Sequence, residues 1–292
     1  MEVQCVLDAR AATGESPVWS DVEQVLYWVD IPGQRLHRFD PSSDENQSWD
    51  MPAQIGCIAM REAGGLLVAL QTGLFAFDPV NGALIQLADS PFDKVAGRFN
   101  DGRCDRQGRF WVSSMAEPPE PAVKSGKLYR VDGDLSVRAL VSGLVIGNGL
   151  AFSPDGRVLY HSDSDTSVRT IWAWDLDPVD GMISNRRIFA RTGDQDGVPD
   201  GAAVDVDGCY WTAANEGWQL IRYTPQGKID RTIRLPVRRP TMLAFGGREL
   251  DVIFVTSMLP QPGDPPTEQP FAGGLFALSV GIQGLPESRF AG

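Results

Sequence analysis

The stretch NDGRCDRQGRFW, residues 100–111, contains the pattern that decides the fold. A polar head residue next to a glycine opens a short strand, a tight turn follows, and an aromatic strand closes the unit. The pattern returns as NGLAFSPDGRVLY at residues 148–160 and as DGAAVDVDGCYW at residues 200–211. A repeat of this kind indicates a radial β architecture. In such an array, equivalent positions converge on one axis.

Related head positions recur along the whole chain at spacings between 41 and 52 residues. They are Glu15, Gly56, Asn100, Asn148, Asp200 and Thr241. Between the heads, β-branched and aromatic residues alternate with polar ones and are bounded by Asp-Pro, Asn-Gly and Asp-Gly turns. The sequence therefore predicts an all-β, six-bladed β-propeller with four antiparallel strands per blade and a site on the central axis.

A propeller is one closed unit, so residues 1–292 are expected to form a single domain. An open ring would leave bare strand edges. We therefore expect residues 1–7 to form an outer strand beside residues 274–278. No segment holds a sustained 3.6-residue apolar period, so almost no helix is predicted.

The charge and the apolar pattern exclude several classes of partner. The formal net charge is −12, whereas nucleic acids and anionic membranes bind basic surfaces. The first ten residues lack the features of a signal or transit peptide, and no apolar run is long enough to span a bilayer. The four cysteines show no CxxC motif, which fits a reducing compartment but leaves a disulfide open. We expect a cytoplasmic monomer or weak dimer with no nucleic-acid or membrane partner.

The usual catalytic motifs are missing, which leaves carboxylates and amides as the candidates. The two histidines, His37 and His161, lie in predicted strands, and the chain has neither a GxSxG elbow nor a P-loop. The oxygen-bearing candidates at or beside the starts of innermost strands are Glu15, Asn100, Asp101, Asn148 and Asp200. A single Asn-Gly or Asp-Gly is most often just a turn. Several in the same blade phase instead favour a site for a hard divalent ion such as Ca²⁺, Mg²⁺ or Mn²⁺.

Longer stretches carry a resemblance to a known family. They are GESPVW (14–19), VDIP (29–32), GRFNDG (97–102), SMAEPPEPAV (114–123), GNGLAFS (147–153), ISNRR (183–187), VPDGAAVD (198–205), FGG (245–247) and AGGLFAL (272–278). In this order they run through essentially the whole chain. The sequence resembles the senescence marker protein 30 (regucalcin) and gluconolactonase-like family of sugar lactonases.

The resemblance implies a propeller with one divalent metal ion, Ca²⁺, Zn²⁺, Mg²⁺ or Mn²⁺, in its central channel. It assigns Glu15, Asn148 and Asp200 as metal ligands, and Asp200 also as the catalytic general base. Arg98 and Asn100 would bind the substrate, with Asp101 beside them. The implied partner is a small sugar lactone, glucono-, arabinono-, glucaro- or galactarolactone, whose ring is opened to the free acid.

One position departs from the family pattern. Some relatives have a substrate-contacting acid directly after a Met-Ala-Glu segment, where this chain has Pro118. Glu117 or Glu120 could make that contact instead, so Glu117 joins the substrate-binding set. With Arg98, Lys124 and Arg169 could hold a second carboxylate, as in an aldarolactone. Two alternatives remain, a calcium-dependent organophosphate or aryl ester hydrolase and a non-catalytic calcium-binding regulatory protein.

Overall fold

The computed structural model describes residues 2–118, 123–264 and 268–292. These residues form six four-stranded antiparallel sheets, and no helix occurs among them. The all-β, six-bladed propeller with four antiparallel strands per blade is therefore confirmed. In the same part of the chain, nothing helical has the length and apolar character needed to cross a membrane.

The first strand along the chain, β1 (Gln4–Leu7), belongs to the last blade. Blade 1 contains β2 (Gly14–Ser20), β3 (Val25–Asp30), β4 (Arg35–Asp40) and β5 (Glu45–Asp50). Blade 2 contains β6 (Ile55–Met60), β7 (Leu66–Leu70), β8 (Gly73–Phe77) and β9 (Leu84–Asp89). Blade 3 contains β10 (Gly97–Cys104), β11 (Phe110–Ala116), β12 (Gly126–Val131) and β13 (Val137–Leu144).

The second half of the chain repeats this arrangement. Blade 4 contains β14 (Gly147–Phe152), β15 (Val158–Asp163), β16 (Thr170–Leu176) and β17 (Ile183–Arg191). Blade 5 contains β18 (Val198–Val204), β19 (Tyr210–Asn215), β20 (Gln219–Tyr223) and β21 (Ile229–Arg234). Blade 6 contains β22 (Pro240–Gly246), β23 (Val252–Ser257) and β24 (Leu275–Ser279), with β1 as its outermost strand.

The ring closes as predicted, by pairing the two ends of the chain in blade 6. β1 runs antiparallel to β24, with Gln4 opposite Ala277 and Leu7 opposite Leu275. The first strand of the chain therefore covers the edge that β24 would otherwise expose.

The turn of the repeat is held by a buried acid that also reaches the closing aromatic residue. In blade 3, Asp105 accepts two backbone N–H bonds from its own turn and one from Trp111 Nε1 at 3.0 Å. In blade 5, Asp205 does the same, and Trp211 Nε1 donates to it at 2.8 Å. Gly108 in the first of these turns has φ +78°, a conformation that favours glycine. The recurring Asp, Gly and Trp thus build one local structure.

The apolar core lies between the blades. The buried apolar side chains fall into six clusters, and each cluster is shared by two neighbouring blades. Trp111, for example, packs with Leu150 and Leu159 of the next blade. Neighbouring sheets pack face to face. The axis is therefore lined by the starts of the innermost strands. All four cysteines are free thiols, so the disulfide alternative does not hold.

The end of the chain, residues 280–292, forms a strap across the far ends of the innermost strands. Phe290 N donates to Met60 O at 2.7 Å, and Val206 N donates to the carbonyl of residue 283 at 3.0 Å. Glu287 on the strap forms a largely buried ion pair with Arg103 of β10 at 3.3 Å. The strap therefore ties blades 2, 3 and 5 together at the end opposite the repeat heads.

Candidate active site on the propeller axis

Five of the six repeat heads line one cavity of about 250 Å³. They are Glu15, Asn100, Asn148, Asp200 and Thr241. Gly56, the head of blade 2, is not among the lining residues; it has no side chain, and a Cβ there would lie 2.4 Å from the carbonyl oxygen of Phe99. The phase of the repeat therefore brings side chains from five blades to one place.

A register irregularity interrupts the pairing of every innermost strand at its head. In β14 it follows Asn148, and in β2 it follows Glu15, so these two heads are the last paired residues. In β10 it begins after Phe99 and in β18 after Pro199, so Asn100 and Asp200 are the first residues past the pairing. A β-bulge re-aims side chains and often lies beside a functional site. The heads are thus equivalent to within one residue.

Two carboxylates line this cavity, the buried Asp200 and the half-buried Glu15. Burial raises the pKa of Glu15 well above its usual value, and the nearby charges of Asp200 and Asp101 raise it further. Burial likewise raises the pKa of Asp200, although Asn215 Nδ2 donates to its Oδ2 at 2.8 Å and opposes the shift. The site therefore brings carboxyl groups together in a poorly solvated place, which disfavours their charged forms unless a cation is present.

This donor set fits a divalent cation. Glu15, Asp200 and Asn148 line the same cavity, so two carboxylates and one amide are available there as oxygen donors. No cluster of three or more His, Cys, Asp or Glu residues suited to a metal exists within the described ranges, and here the third donor is an amide instead. Hard ions prefer oxygen ligands of both kinds. A bound cation would also balance the repulsion that raises the carboxylate pKa values.

Asn100 is held by hydrogen bonds at both ends of its amide. Its Nδ2 donates to Gly147 O at 3.0 Å and to Asn148 Oδ1 at 2.9 Å. Its Oδ1 accepts a hydrogen bond from Arg98 Nη1 at 2.7 Å. Both amide hydrogens are therefore in use, so Asn100 orients Asn148 and Arg98 in this structure. Its Oδ1 keeps a second lone pair, which can accept a hydrogen bond from a substrate hydroxyl.

Among the described residues that line the cavity, Arg98 is the only lysine or arginine. Its Nε donates to Glu117 Oε2 at 2.6 Å, and its Nη1 also donates to Phe99 O at 2.9 Å. Glu117 is not among the lining residues, so its observed contact is with Arg98. Glu120, the other acid considered for this position, lies outside the described residues.

Asp101 lies behind the cavity wall. Its Oδ2 accepts a hydrogen bond from Leu150 N at 2.7 Å, and its buried Oδ1 has no hydrogen-bond partner in the described part of the chain. Burial raises the pKa of Asp101 to about 6, although the Leu150 bond opposes the shift. Asp101 therefore acts on the site through its charge, which raises the pKa of Glu15.

The cations considered for a second carboxylate lie elsewhere. Lys124 is exposed. Arg169 Nη2 donates to the backbone carbonyls of Gln195 and Gly197, each at 2.5 Å, and its side chain lines a neighbouring cavity between blades 4 and 5. Neither residue lines the central cavity.

The two histidines are structural, as expected. His37 stacks on Trp28 with a centroid distance of 3.9 Å, and burial lowers its pKa to about 4. Burial lowers the pKa of His161 to about 3, beside Trp172. Neither histidine lines the cavity.

Two polar residues that bond the candidate ligands were not identified from the sequence. Asn215 bonds Asp200, and Ser164 Oγ accepts a hydrogen bond from Asn148 Nδ2 at 2.7 Å. Asn215 ends β19 and Ser164 directly follows β15, which are the second strands of their blades. The available signal was a polar residue where each second strand ends.

Comparison with known proteins relates the whole chain to one family. The sequence model described as the SMP-30/Gluconolactonase/LRE-like region matches residues 13–259. The 6-deoxy-6-sulfogluconolactonase of Pseudomonas putida is 39% identical over 291 residues, covering 99% of both chains. Human regucalcin is 34% identical over 300 residues, covering 100% of this chain and 99% of its own. The structure of the calcium-binding protein regucalcin from Agrobacterium tumefaciens superposes with a TM-score of 0.93 at 25% identity, covering 99% of this chain and 97% of its own.

Proposed function

Because the chain belongs to the SMP-30/gluconolactonase/LRE-like family, we propose that it is a metal-dependent lactonase that opens a sugar-acid lactone to the free acid. The observation that carries the proposal is that the carboxylates of Glu15 and Asp200 and the amide of Asn148 line one cavity on the propeller axis. Its relative in Pseudomonas putida is named for the same class of reaction.

The proposed chemistry assigns a separate task to each side chain. A divalent ion held by Glu15, Asn148 and Asp200 would, when bound, polarise the lactone carbonyl and stabilise the developing oxyanion. Asp200 takes the proton from the attacking water. Asn215 holds Asp200 Oδ2 at 2.8 Å, which fixes the plane of the carboxylate. Arg98 donates to a polar group of the substrate from the cavity wall.

The bonding of Arg98 favours an aldonolactone over an aldarolactone. A carboxylate is captured best by two parallel N–H groups of one guanidinium. Glu117 holds Nε of Arg98, and Nη1 bonds Phe99 O and Asn100 Oδ1, so Nη2 is the group left over. Its two N–H groups are on one nitrogen, so they cannot form two parallel bonds to a carboxylate, and they suit hydroxyl or carbonyl oxygens. We therefore propose a substrate whose other groups are hydroxyls, such as glucono- or arabinonolactone.

A panel of substrates tests the proposal. We expect kcat/KM for glucono- and arabinonolactone to exceed that for glucaro- and galactarolactone by about tenfold, which corresponds to about 1.4 kcal/mol. The panel also includes 6-deoxy-6-sulfogluconolactone, because of the Pseudomonas putida relative. Each assay is run with Ca²⁺, Zn²⁺, Mg²⁺ and Mn²⁺. Absence of hydrolysis for every lactone with every ion would contradict the proposed function.

An aryl ester or organophosphate hydrolase is the second candidate. The observation in its favour is a set of apolar side chains among the lining residues: Ile31, Met115, Ile146, Val198 and Met258. An apolar rim would accept an aromatic leaving group. Higher kcat/KM for paraoxon or phenyl acetate than for any sugar lactone would favour this candidate. Tight Ca²⁺ binding with no hydrolysis at all would instead support a regulatory binding protein.

We also propose that residues 1–292 act as one domain and that the protein is a monomer or weak dimer in the cytoplasm. Sedimentation over a range of protein concentrations tests the oligomeric state. A stable higher oligomer would contradict it.

A further inference from the structure

The amide of Asn148 has two different ends, and only its oxygen can bind a cation. Asn148 Nδ2 donates to Ser164 Oγ at 2.7 Å, and Asn148 Oδ1 accepts a hydrogen bond from Asn100 Nδ2 at 2.9 Å. A free amide could rotate by 180° and present its NH₂ group to the site. The ligand function of Asn148 therefore depends on what fixes its orientation.

Backbone carbonyls determine that orientation at both ends of the network. Ser164 Oγ donates its only proton to Pro199 O at 2.6 Å, so toward Asn148 the hydroxyl can only accept. At the other end, Asn100 Nδ2 also donates to Gly147 O at 3.0 Å, so Asn100 must present its NH₂ group. A carbonyl oxygen cannot donate, so neither the bond from Ser164 Oγ to Pro199 O nor the bond from Asn100 Nδ2 to Gly147 O can run in the opposite direction.

We propose that Ser164 is a positioning residue that holds the Asn148 amide with its oxygen toward the metal site, an inference that rests on the proposed function. Ser164 is buried, with 8% of its surface exposed, and lines the cavity. Its bond to Pro199 O joins blade 4 to the residue that precedes Asp200 in β18. One hydroxyl therefore fixes the orientation of one ligand and the position of the strand that carries another.

Removing this hydroxyl should weaken metal binding. Groups that orient a metal ligand typically contribute 10–100-fold to affinity, so we expect Ser164→Ala to lower the affinity for Ca²⁺ by about that factor. The measurement is calorimetric titration of chelator-treated protein with CaCl₂, which needs no substrate. Ser164→Thr keeps the hydroxyl and should recover most of the lost affinity.

Ser162 supplies a matched control. It lies in β15, is fully buried, and its Oγ has no hydrogen-bond partner among the described residues. Ser162→Ala removes the same atom two positions away without breaking a bond, so its Ca²⁺ affinity should equal that of the wild-type protein. A loss in Ser162→Ala equal to that in Ser164→Ala would show a general packing effect and overturn the inference.

A double mutant tests orientation itself. A carboxylate has two equivalent oxygens, so Asn148→Asp cannot be misoriented. In the Asn148→Asp background, we expect Ser164→Ala to lower the Ca²⁺ affinity no more than the control Ser162→Ala does. An undiminished loss in that background would refute the orientation role. Equal affinity of the wild-type protein and Ser164→Ala would refute this inference alone, whereas wild-type protein that binds no divalent ion would refute the proposed function as well.

Discussion

Asp200 has two proposed roles, metal ligand and general base, and its surroundings suit both. One oxygen is held by Asn215, and burial raises the pKa of the carboxyl. A base works best when its pKa lies near the operating pH. The same burial makes the charged form unfavourable unless a cation is nearby. Asp200 is therefore the single side chain on which both the proposed metal site and the proposed chemistry depend.

Asp200→Asn should lower kcat for the best lactone by about 10²–10⁴-fold, because the amide cannot take a proton from water. Steady-state kinetics at saturating metal measures the change. Asp194→Asn, an exposed residue on the loop before β18, is the control and should keep wild-type kcat. Substantial turnover in Asp200→Asn would exclude Asp200 as the base.

The charge of Asp101 should make metal-free protein less stable as pH rises. Its folded-state pKa is raised from 3.8 to about 6, so between these values the folded state binds more protons than the unfolded state. The linkage relation then predicts falling stability from about pH 4 to about pH 6, with at most about 3 kcal/mol lost, and no further loss above that range.

Asp101→Asn should remove this part of the pH dependence. Urea unfolding of chelator-treated protein at pH 4.5, 5.5 and 7 measures the free energy of unfolding for both proteins. The comparison is between their slopes, since Glu15 and Asp200 titrate in both. Equal slopes would show that Asp101 titrates normally.

At the scale of the element, the inner strand with its turn is the unit that repeats. Asp205 is fully buried and accepts from its own turn, from Trp211 and from Arg222 Nε at 2.8 Å. Its carboxylate therefore joins three parts of blade 5. The equivalent Asp105 serves blade 3, where Arg109 lies at 3.4 Å.

Asp205→Ala should destabilise the protein by about 3–5 kcal/mol, because two backbone N–H groups of the turn, Trp211 Nε1 and Arg222 Nε lose their shared acceptor. The free energy of unfolding in urea gives the value. Asp251→Ala, an exposed acid before β23, should change stability by less than about 0.5 kcal/mol. A loss below about 1 kcal/mol for Asp205→Ala would show that the turn does not depend on this acid.

The repeat predicted the strands, the ring closure and the convergence of the heads, because each depends on local pattern and on period. The bonds within the site were not predictable in the same way. The second strand of a blade ends opposite the start of the first strand, so Ser164 and Asn215 reach their partners. Predicting these contacts requires knowledge of the pairing register between the two strands. Glu15 precedes the bulge of its strand and Asp200 follows the last paired residue of its strand, a difference of one position. The amino-acid composition does not predict this difference. The engagement of Arg98 by Glu117 joins the ends of β10 and β11, and it too follows only from the register.

For the whole molecule, the metal should contribute to stability as well as to turnover. Ligands on three different blades (Glu15, Asn148 and Asp200) would be joined by one ion. A ligand that binds only the folded state at 100 times its Kd adds about 2.7 kcal/mol. The ion would therefore link three blades of the ring.

EDTA should therefore lower both kcat and the thermal unfolding temperature, and Ca²⁺ or another divalent ion should restore both. Differential scanning calorimetry and lactone turnover are measured on the same samples. Glu15→Gln weakens the site and should show a smaller EDTA effect on Tm. Full activity and unchanged Tm after exhaustive chelation would contradict a metal-dependent enzyme.

The C-terminal strap bears on how substrate enters the propeller and how product leaves it. The strap, with Glu287 paired to Arg103, crosses the far ends of the inner strands, whereas the cavity of the repeat heads lies at their starts. We therefore expect a lactone to enter, and its acid to leave, by the same mouth. The product therefore blocks the next molecule until it departs, so the sugar acid should behave as a competitive inhibitor, and its departure sets an upper limit on the turnover rate.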